Sequence, residues 1–171
     1  PQNLQVIGVV KAYTTRVGSG PFPTELIDET GNFVREKGQE YGTTTGRPRR
    51  CGWLDLVMLK YAHRLNGFSS LAITKLDVLS GLKKIKVAVK YTIDEKEVNY
   101  PLTIKQLEQC KIVYELFDGF ELSEKIKEYK KLDKNVKNYL GFIEKFLQVP
   151  VSLISIGPER DQTISKKQID L

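Results

Sequence analysis

The chain has 171 residues, of which 40% are hydrophobic and 28% charged, a balance that suits a soluble globular protein and excludes a disordered or fibrous one. Its net charge of +6, from 27 Lys+Arg against 21 Asp+Glu, allows an anionic partner without naming one. No apolar run approaches the ~20 residues of a bilayer span, and the start, Pro1 to Ile7, lacks the basic and apolar regions of a signal peptide.

The 2 cysteines, Cys51 and Cys110, are enough for one disulfide but make no framework, and with the lone His63 they form no Cys/His metal cluster. A reduced, cytosolic compartment is the simpler expectation. Lysines scattered from Lys105 to Lys167 read as a solvated face, and they form no aromatic-plus-basic stripe of the kind that stacks bases.

The first 50 residues are rich in Gly, Thr, Pro and Arg, and ordered loops of that length are uncommon in a compact domain unless they bind something. Within them, Gly8 to Glu25 opens as a β-branched run, which predicts a strand, and closes on Gly18-Ser19-Gly20-Pro21-Phe22-Pro23, which predicts a constrained loop. A plain strand and turn also accounts for it.

The next loop, Gly42 to Arg50, sets Thr44 and Thr45 beside Arg47, Arg49 and Arg50. Guanidinium forks match carboxylates and phosphates bidentately, and Gly42 and Gly46 let the backbone approach a ligand, so a small dianion is a sensible guest. A basic surface loop pairing with acidic neighbours explains the same residues.

Trp53 to Asn66 has helical spacing through Leu56, Leu59, Ala62 and Leu65, with Gly67 as its stop. His63 within it reads as structural, and Asp55 near its start as a favourable helix-end charge. Leu71-Ala72-Ile73 then predicts a buried strand opening into a loop near Lys75. A carboxylate such as Asp77 at a strand's carboxyl end accepts both the ring N–H and the exocyclic amine of guanine, while a lysine stem such as that of Lys75 covers the base. A surface ion pair fits Lys-x-Asp as well.

Alternation at Ile85, Val87, Val89, Tyr91 and Ile93 predicts a half-exposed strand, and a turn at Asp94 to Glu97 predicts a hairpin into Val98-Asn99-Tyr100, ended by Pro101. Ser123 to Lys134 reads as a polar helix or linker. Val136, Tyr139, Leu140, Ile143, Phe146 and Leu147 predict an apolar helix face, ended by Pro150, and Val151 to Ile156 a strand closed by Gly157-Pro158. Helix followed by buried strand, twice, predicts an α/β fold with part of its sheet parallel, in one domain. No Walker-type phosphate loop and no nucleophile–base pair is present.

Together these segments resemble the adenylosuccinate synthetase family. Val10 to Gly18 with Gly20 to Glu25 is similar to that family's IMP-side strand and loop, and Gly42 to Arg50 with Gly52 to Asp55 to its aspartate-binding loop. Thr74-Lys75-Leu76-Asp77-Val78-Leu79 resembles its guanine-recognition motif, and Ser155 to Arg160 its final nucleotide-contacting segment. The resemblance implies an α/β fold, part of a P-loop-like mixed or parallel sheet with flanking helices and a β-hairpin. It also implies that residues 1–171 are the C-terminal portion of a single synthetase domain whose phosphate-binding part lies before them.

By the same resemblance, Val17 contacts IMP through its backbone, and Arg47 reaches the IMP ribose and the incoming aspartate. Thr44, Thr45 and Arg49 hold the aspartate carboxylates. The GTP side comprises Arg49, Lys75, Leu76, Asp77, Ser155, Ile156 and Gly157. Pro48 stands where some members carry arginine, which stiffens the loop and removes one contact while Arg47 and Arg49 remain.

The family's reaction has two steps: GTP phosphorylates the 6-oxygen of IMP, and the aspartate amine displaces that phosphate. Its catalytic Asp, catalytic His and Gly-rich phosphate loop lie in an N-terminal portion that nothing here matches. No catalytic residue and no metal ligand is therefore expected in this chain, which is expected to be inactive alone. GTP is implied as co-substrate and Mg2+ as cofactor, with its ligands in the missing N-terminal part. IMP, L-aspartate and GTP are the implied partners of a cytoplasmic homodimeric ligase of purine biosynthesis, with no nucleic acid and no membrane. A guanine-nucleotide-binding module and a basic RNA-associated domain are the competing readings, and neither needs an aspartate pocket.

Overall fold

A computed structural model describes residues 4–166, so the first three residues of the leader reading and Lys167 lie outside it. In chain order the elements are β1 (Ile7–Lys11), β2 (Thr14–Arg16), α1 (Glu29–Gly38), β3 (Arg50–Gly52), β4 (Leu54–Asp55), α2 (Leu56–Asn66) and β5 (Ser70–Thr74). They continue with β6 (Lys84–Ile93), β7 (Lys96–Val98), α3 (Ile104–Gln109), β8 (Lys111–Asp118), α4 (Lys134–Leu147), β9 (Val151–Ser155) and β10 (Thr163–Ser165). The described residues divide into two compact units, one of residues 4–12, 62–85 and 117–166, the other of Tyr13–Tyr61 and Lys86–Leu116. Sheets of mixed direction with flanking helices and a hairpin make the α/β class expected above. Among the described residues no helix is long and apolar enough to cross a membrane.

The first unit is built on a sheet of order β1-β5-β9-β10. β1 and β9 both run parallel to β5, in the registers Val10↔Ile73 and Ile73↔Ile154, while β10 returns antiparallel along β9. Parallel strands are covered on both faces and so read as apolar runs: Leu71, Ile73, Val151 and Ile154 are fully buried. α4 buries Val136, Tyr139, Leu140, Ile143 and Leu147, the face its 3.6-residue period predicts, each such side chain stabilising by about 1.5–3 kcal/mol. Asp133 caps it by accepting from the Asn135 amide at 2.7 Å. The helix ends at Gln148 in a left-handed conformation, two residues before Pro150. The buried Tyr139 hydroxyl donates to the Ala12 carbonyl at 2.7 Å, which ties α4 to the chain just past β1.

In the second unit β2 and β3 pair antiparallel, Thr15 opposite Cys51. β6 pairs parallel with β4 and antiparallel with β7, and β8 also pairs with it. The β6–β7 turn is Asp94-Glu95, with φ 50 and 62, the left-handed pair that a two-residue hairpin loop needs. Lys96 and Glu97 are thus ladder residues opposite Ile93 and Thr92, not part of the turn. Neither cysteine is in a disulfide.

Other expectations shift for physical reasons. The helix predicted from Trp53 starts at Leu56, because Leu54 and Asp55 pair with β6. α1 lies inside the stretch read as loop: only Gly31, Val34 and Gly38 are buried in it, too few to print an apolar face. Gly31 has no alternative there, since a Cβ would stand 2.1 Å from the Leu26 carbonyl oxygen. Ala88 is buried beside Val87, which breaks the alternation of β6. Between Ser123 and Lys134 there is only a short 3-10 turn, Tyr129–Lys131.

Asp55 is 4% exposed and carries two jobs. Its Oδ1 accepts the Val57 and Met58 amides at 3.1 Å each, and its Oδ2 accepts the Tyr91 hydroxyl. Burial pushes its carboxyl above the ordinary carboxylate range, against the lowering effect of those bonds. A raised carboxyl holds its proton more tightly folded than unfolded. Its contribution therefore falls as pH rises from the unfolded value of 3.8 through the folded one. Asp55→Ala should cost about 2–4 kcal/mol in urea unfolding, from a lost cap and an unpaired tyrosine hydroxyl. Asp55→Asn keeps the acceptor for the amides, should cost less at neutral pH, and should flatten that part of the acid profile.

Candidate functional site

In the second unit a cavity of about 760 Å³ is lined by Arg16, Val17, Gly18, Ser19, Gly42, Thr45, Arg47, Pro48, Arg49 and Arg50. β2 and β3 set Arg16 opposite Arg50, and each continues into one of the loops that form the walls. The Gly42–Arg47 wall is a turn closed by Gly46 N–H to the Gly42 carbonyl at 2.8 Å and Gly42 N–H to the Arg47 carbonyl at 2.9 Å. Gly46 sits at φ +63, where only glycine is unstrained. Four arginines line this space with no carboxylate residue among them.

Those arginines divide by what already holds them. Arg50 has four of its five N–H donors engaged: it grips Glu25 through Nε and Nη2, at 2.7 and 2.5 Å, and donates to the Gly18 and Gly20 carbonyls at 3.1 and 2.8 Å. Arg16 donates to the Pro21 carbonyl, and to that of Ser19 at 3.3 Å. Together they brace the loop that presents Val17, whose side chain is 73% exposed. Arg49 gives one N–H to Glu40 at 3.0 Å. Arg47 is exposed, its backbone N–H resting on Thr45 Oγ1 at 3.3 Å, and its guanidinium takes no partner among the described residues. The acidic-neighbour reading thus holds for Arg50 and the anion reading remains open to Arg47.

Glu40 and Glu25 are what sequence reasoning missed. Glu40 has no exposure, and its other oxygen accepts the Tyr13 hydroxyl at 2.6 Å. A lone glutamate in a polar stretch carries no sign that it will be buried. Of the residues expected on the aspartate and IMP side, Val17, Thr45, Arg47 and Arg49 line the cavity; Thr44 lies on the same turn outside the lining. Four guanidiniums less two carboxylates, Glu25 and Glu40, leave two positive charges in excess, which suits a guest with two carboxylates.

In the first unit the other expected residues meet at one sheet edge. Lys75-Leu76-Asp77 follows β5 and Ser155-Ile156-Gly157 ends β9, and the register Ile73↔Ile154 puts both at the carboxyl ends of neighbouring parallel strands. Ligands in open α/β sheets bind at such edges. Lys75 turns the chain with φ 57, and a 3-10 turn, Leu76–Leu79, follows. Lys75 and Asp77 are half-buried, while Leu76 and Ile156 are sealed at 0% and 1%, so those two anchor the loops and offer a ligand only backbone. Ser155 Oγ donates to the Gly157 carbonyl at 2.8 Å. His63 is no part of either cluster; its ring lies 5.8 Å from that of Phe68. Among the described residues no group of three or more His, Cys, Asp or Glu side chains is placed to hold a metal ion.

Comparison with known proteins gives consistent matches. Residues 1–164 match the family model described as adenylosuccinate synthetase. The chain is 58% identical over 169 residues to the adenylosuccinate synthetase of Carboxydothermus hydrogenoformans, covering 96% of this chain and 39% of that protein. It is 55% identical over 161 residues to that of Caldanaerobacter subterraneus subsp. tengcongensis, covering 93% and 38%. A solved structure of fully ligated adenylosuccinate synthetase from Plasmodium falciparum superimposes with TM-score 0.93 at 45% identity, over 96% of this chain and 40% of that one. The chain thus spans about 39% of the length of the curated relatives it matches.

The division among the arginines is testable without any ligand. Arg50→Gln should lower stability at pH 7 by about 1–3 kcal/mol, whereas Arg47→Lys should stay within about 0.5 kcal/mol of the native chain. The Arg50 guanidinium holds the Glu25 carboxyl below the usual carboxylate range, so that pair stabilises above the unfolded value of 4.5. Its contribution is lost as pH falls from there through the depressed folded value. The gap between native and Arg50→Gln unfolding midpoints should therefore narrow as pH falls below about 4.5.

Proposed function

The chain belongs to the adenylosuccinate synthetase family, and from that premise we propose that it supplies the aspartate- and guanine-binding parts of a GTP-dependent ligase joining L-aspartate to IMP. In this reading residues 1–171 are the C-terminal portion of the enzyme, and the parent protein acts in purine biosynthesis as a cytoplasmic homodimer.

The observation that carries the reading is the meeting of Lys75-Leu76-Asp77 with Ser155-Ile156-Gly157 at adjacent carboxyl ends of parallel strands. The Asp77 carboxylate accepts the ring N–H and the exocyclic amine of guanine, and the Lys75 stem covers the base. Adenine presents the reverse pattern at that edge and leaves the carboxylate unpaired, which is where discrimination comes from. Ser155 and the backbone at Ile156 and Gly157 complete the rim.

The arginine-lined cavity takes the aspartate. Arg47, whose guanidinium has no partner among the described residues, reaches the ribose of IMP and an aspartate carboxylate, while Thr44, Thr45 and Arg49 hold the rest. Neutralising both carboxylates leaves the aspartate amine as the group free to attack the 6-position of IMP. The leaving group there is the phosphate that GTP has transferred to the 6-oxygen. Orientation of this kind acts by making attack effectively intramolecular. Mg2+, which the family uses, takes its ligands in this reading from the portion of the parent outside this chain.

The test is adenylosuccinate formation by the full-length parent, comparing GTP with xanthosine triphosphate. Asp77→Asn exchanges an acceptor for a donor, so preference should move to the xanthine nucleotide by on the order of 10- to 100-fold. Absence of product from IMP and aspartate with any nucleotide would sink the ligase reading and leave a guanine-nucleotide-binding module. The isolated chain should form no product, since the family's catalytic Asp, His and phosphate loop are not in it.

A further inference from the structure

We infer that Gln162 is the positioning residue for the nucleotide-contacting backbone at Ser155-Ile156-Gly157, an inference that rests on the guanine reading of that edge. Gly157 explains why. Its φ lies outside the left-handed region, so its own conformation does not require glycine. What a side chain would displace is the Gln162 carboxamide: a Cβ there would stand 2.1 Å from Gln162 Oε1, 2.5 Å from its Cδ and 2.9 Å from its Nε2.

The Gln162 amide occupies that place because it is held. The residue is 7% exposed, and its Oε1 accepts the Glu159 amide at 2.9 Å. Its own N–H donates to the Glu159 carbonyl, and its carbonyl accepts the Ile156 N–H, both at 3.0 Å. Two backbone bonds thus close the loop from Ile156 to Gln162, and the one side-chain bond, to the Glu159 amide, sets the Gln162 carboxamide against Gly157. Pro158, Glu159 and Arg160 are exposed and give the loop no core of their own. Ser155 Oγ, bonded to the Gly157 carbonyl, is carried by the same arrangement.

A base read by backbone groups is sensitive to displacements of a fraction of an ångström. Gln162 touches no nucleotide in this reading. It acts by fixing where Gly157 and Ser155 stand, so its loss should weaken GTP binding and leave the aspartate side alone.

The experiment uses steady-state kinetics of the full-length synthetase, with unfolding midpoints to show each variant is folded at the assay temperature. Gln162→Ala should raise KM for GTP about tenfold while kcat and KM for aspartate stay within about twofold. Gln162→Glu keeps an acceptor for the Glu159 amide and should stay within about threefold of native. Gly157→Ala should raise KM for GTP in the native background and add little in the Gln162→Ala background, where the clash is gone. A native GTP KM in folded Gln162→Ala, an equal loss with Gln162→Glu, or a fall in kcat alone would overturn the inference. If Gln162→Ala does not fold, a native KM in Gly157→Ala overturns it instead. Asp77→Asn separates the two levels. A normal base switch with an inert Gln162→Ala removes only the role of Gln162, whereas no switch removes the guanine reading and this inference with it.

Discussion

A polar group cut off from water must find its partners inside the protein, and the loops of this chain hang from side chains under that constraint. Glu40 has no exposure, so both its oxygens must be met, and Tyr13 and Arg49 meet them. Those bonds tie the start of β2 to the far arm of the Thr/Arg turn. Asp55 faces the same demand at the start of α2, where Tyr91 and two backbone amides answer it. Gln162 does so past β9, through the Glu159 amide. Each of these groups would cost about 1–3 kcal/mol if left unpaired, a large share of the net stability of a small domain. The loops are therefore fixed by what the interior demands of buried polar atoms, although their own residues are mostly exposed.

That constraint also sorts the arginines by function. A guanidinium already engaged with a carboxylate and two carbonyls, as in Arg50, has little left to offer a ligand, and it serves as scaffold. One engaged through a single N–H, as in Arg49, is oriented and still has donors to spend. One with no partner among the described residues, as in Arg47, lines the cavity with all its donors unspent on them. Adjacent residues of identical type thus act in three ways. Local spacing cannot distinguish them, because their partners lie 9, 25 and 30 or more residues away.

Much of the fold was legible where burial prints itself on composition. β5 and β9 read as strands because parallel strands covered on both faces must be apolar throughout. α4 read as a helix because one face of it is sealed, and the β6–β7 hairpin because a polar turn interrupts an alternating run. α1 was invisible, since its cap, Asp28, and its tight contact at Gly31 bind it to neighbouring backbone without an apolar stripe. The start of α2 was misplaced for a similar reason: whether Leu54 and Asp55 are strand or helix depends on β6, more than thirty residues on.

From the sequence alone came the chemistry available: three arginines and three threonines in a glycine-bounded loop, a Lys-x-Asp after an apolar run, a Ser-x-Gly after another, and a family resemblance spanning Val10 to Arg160. These are properties of residue type and spacing, which a chain carries whether or not it is folded. Tertiary structure alone decided which arginine is scaffold and which has no partner among the described residues, that Glu40 and Glu25 are the counter-charges, and that the Gln162 carboxamide fills the space beside Gly157. Those are facts about which distant atoms share a space. They follow from the closure of a core around polar groups that must be satisfied, and no local pattern encodes them.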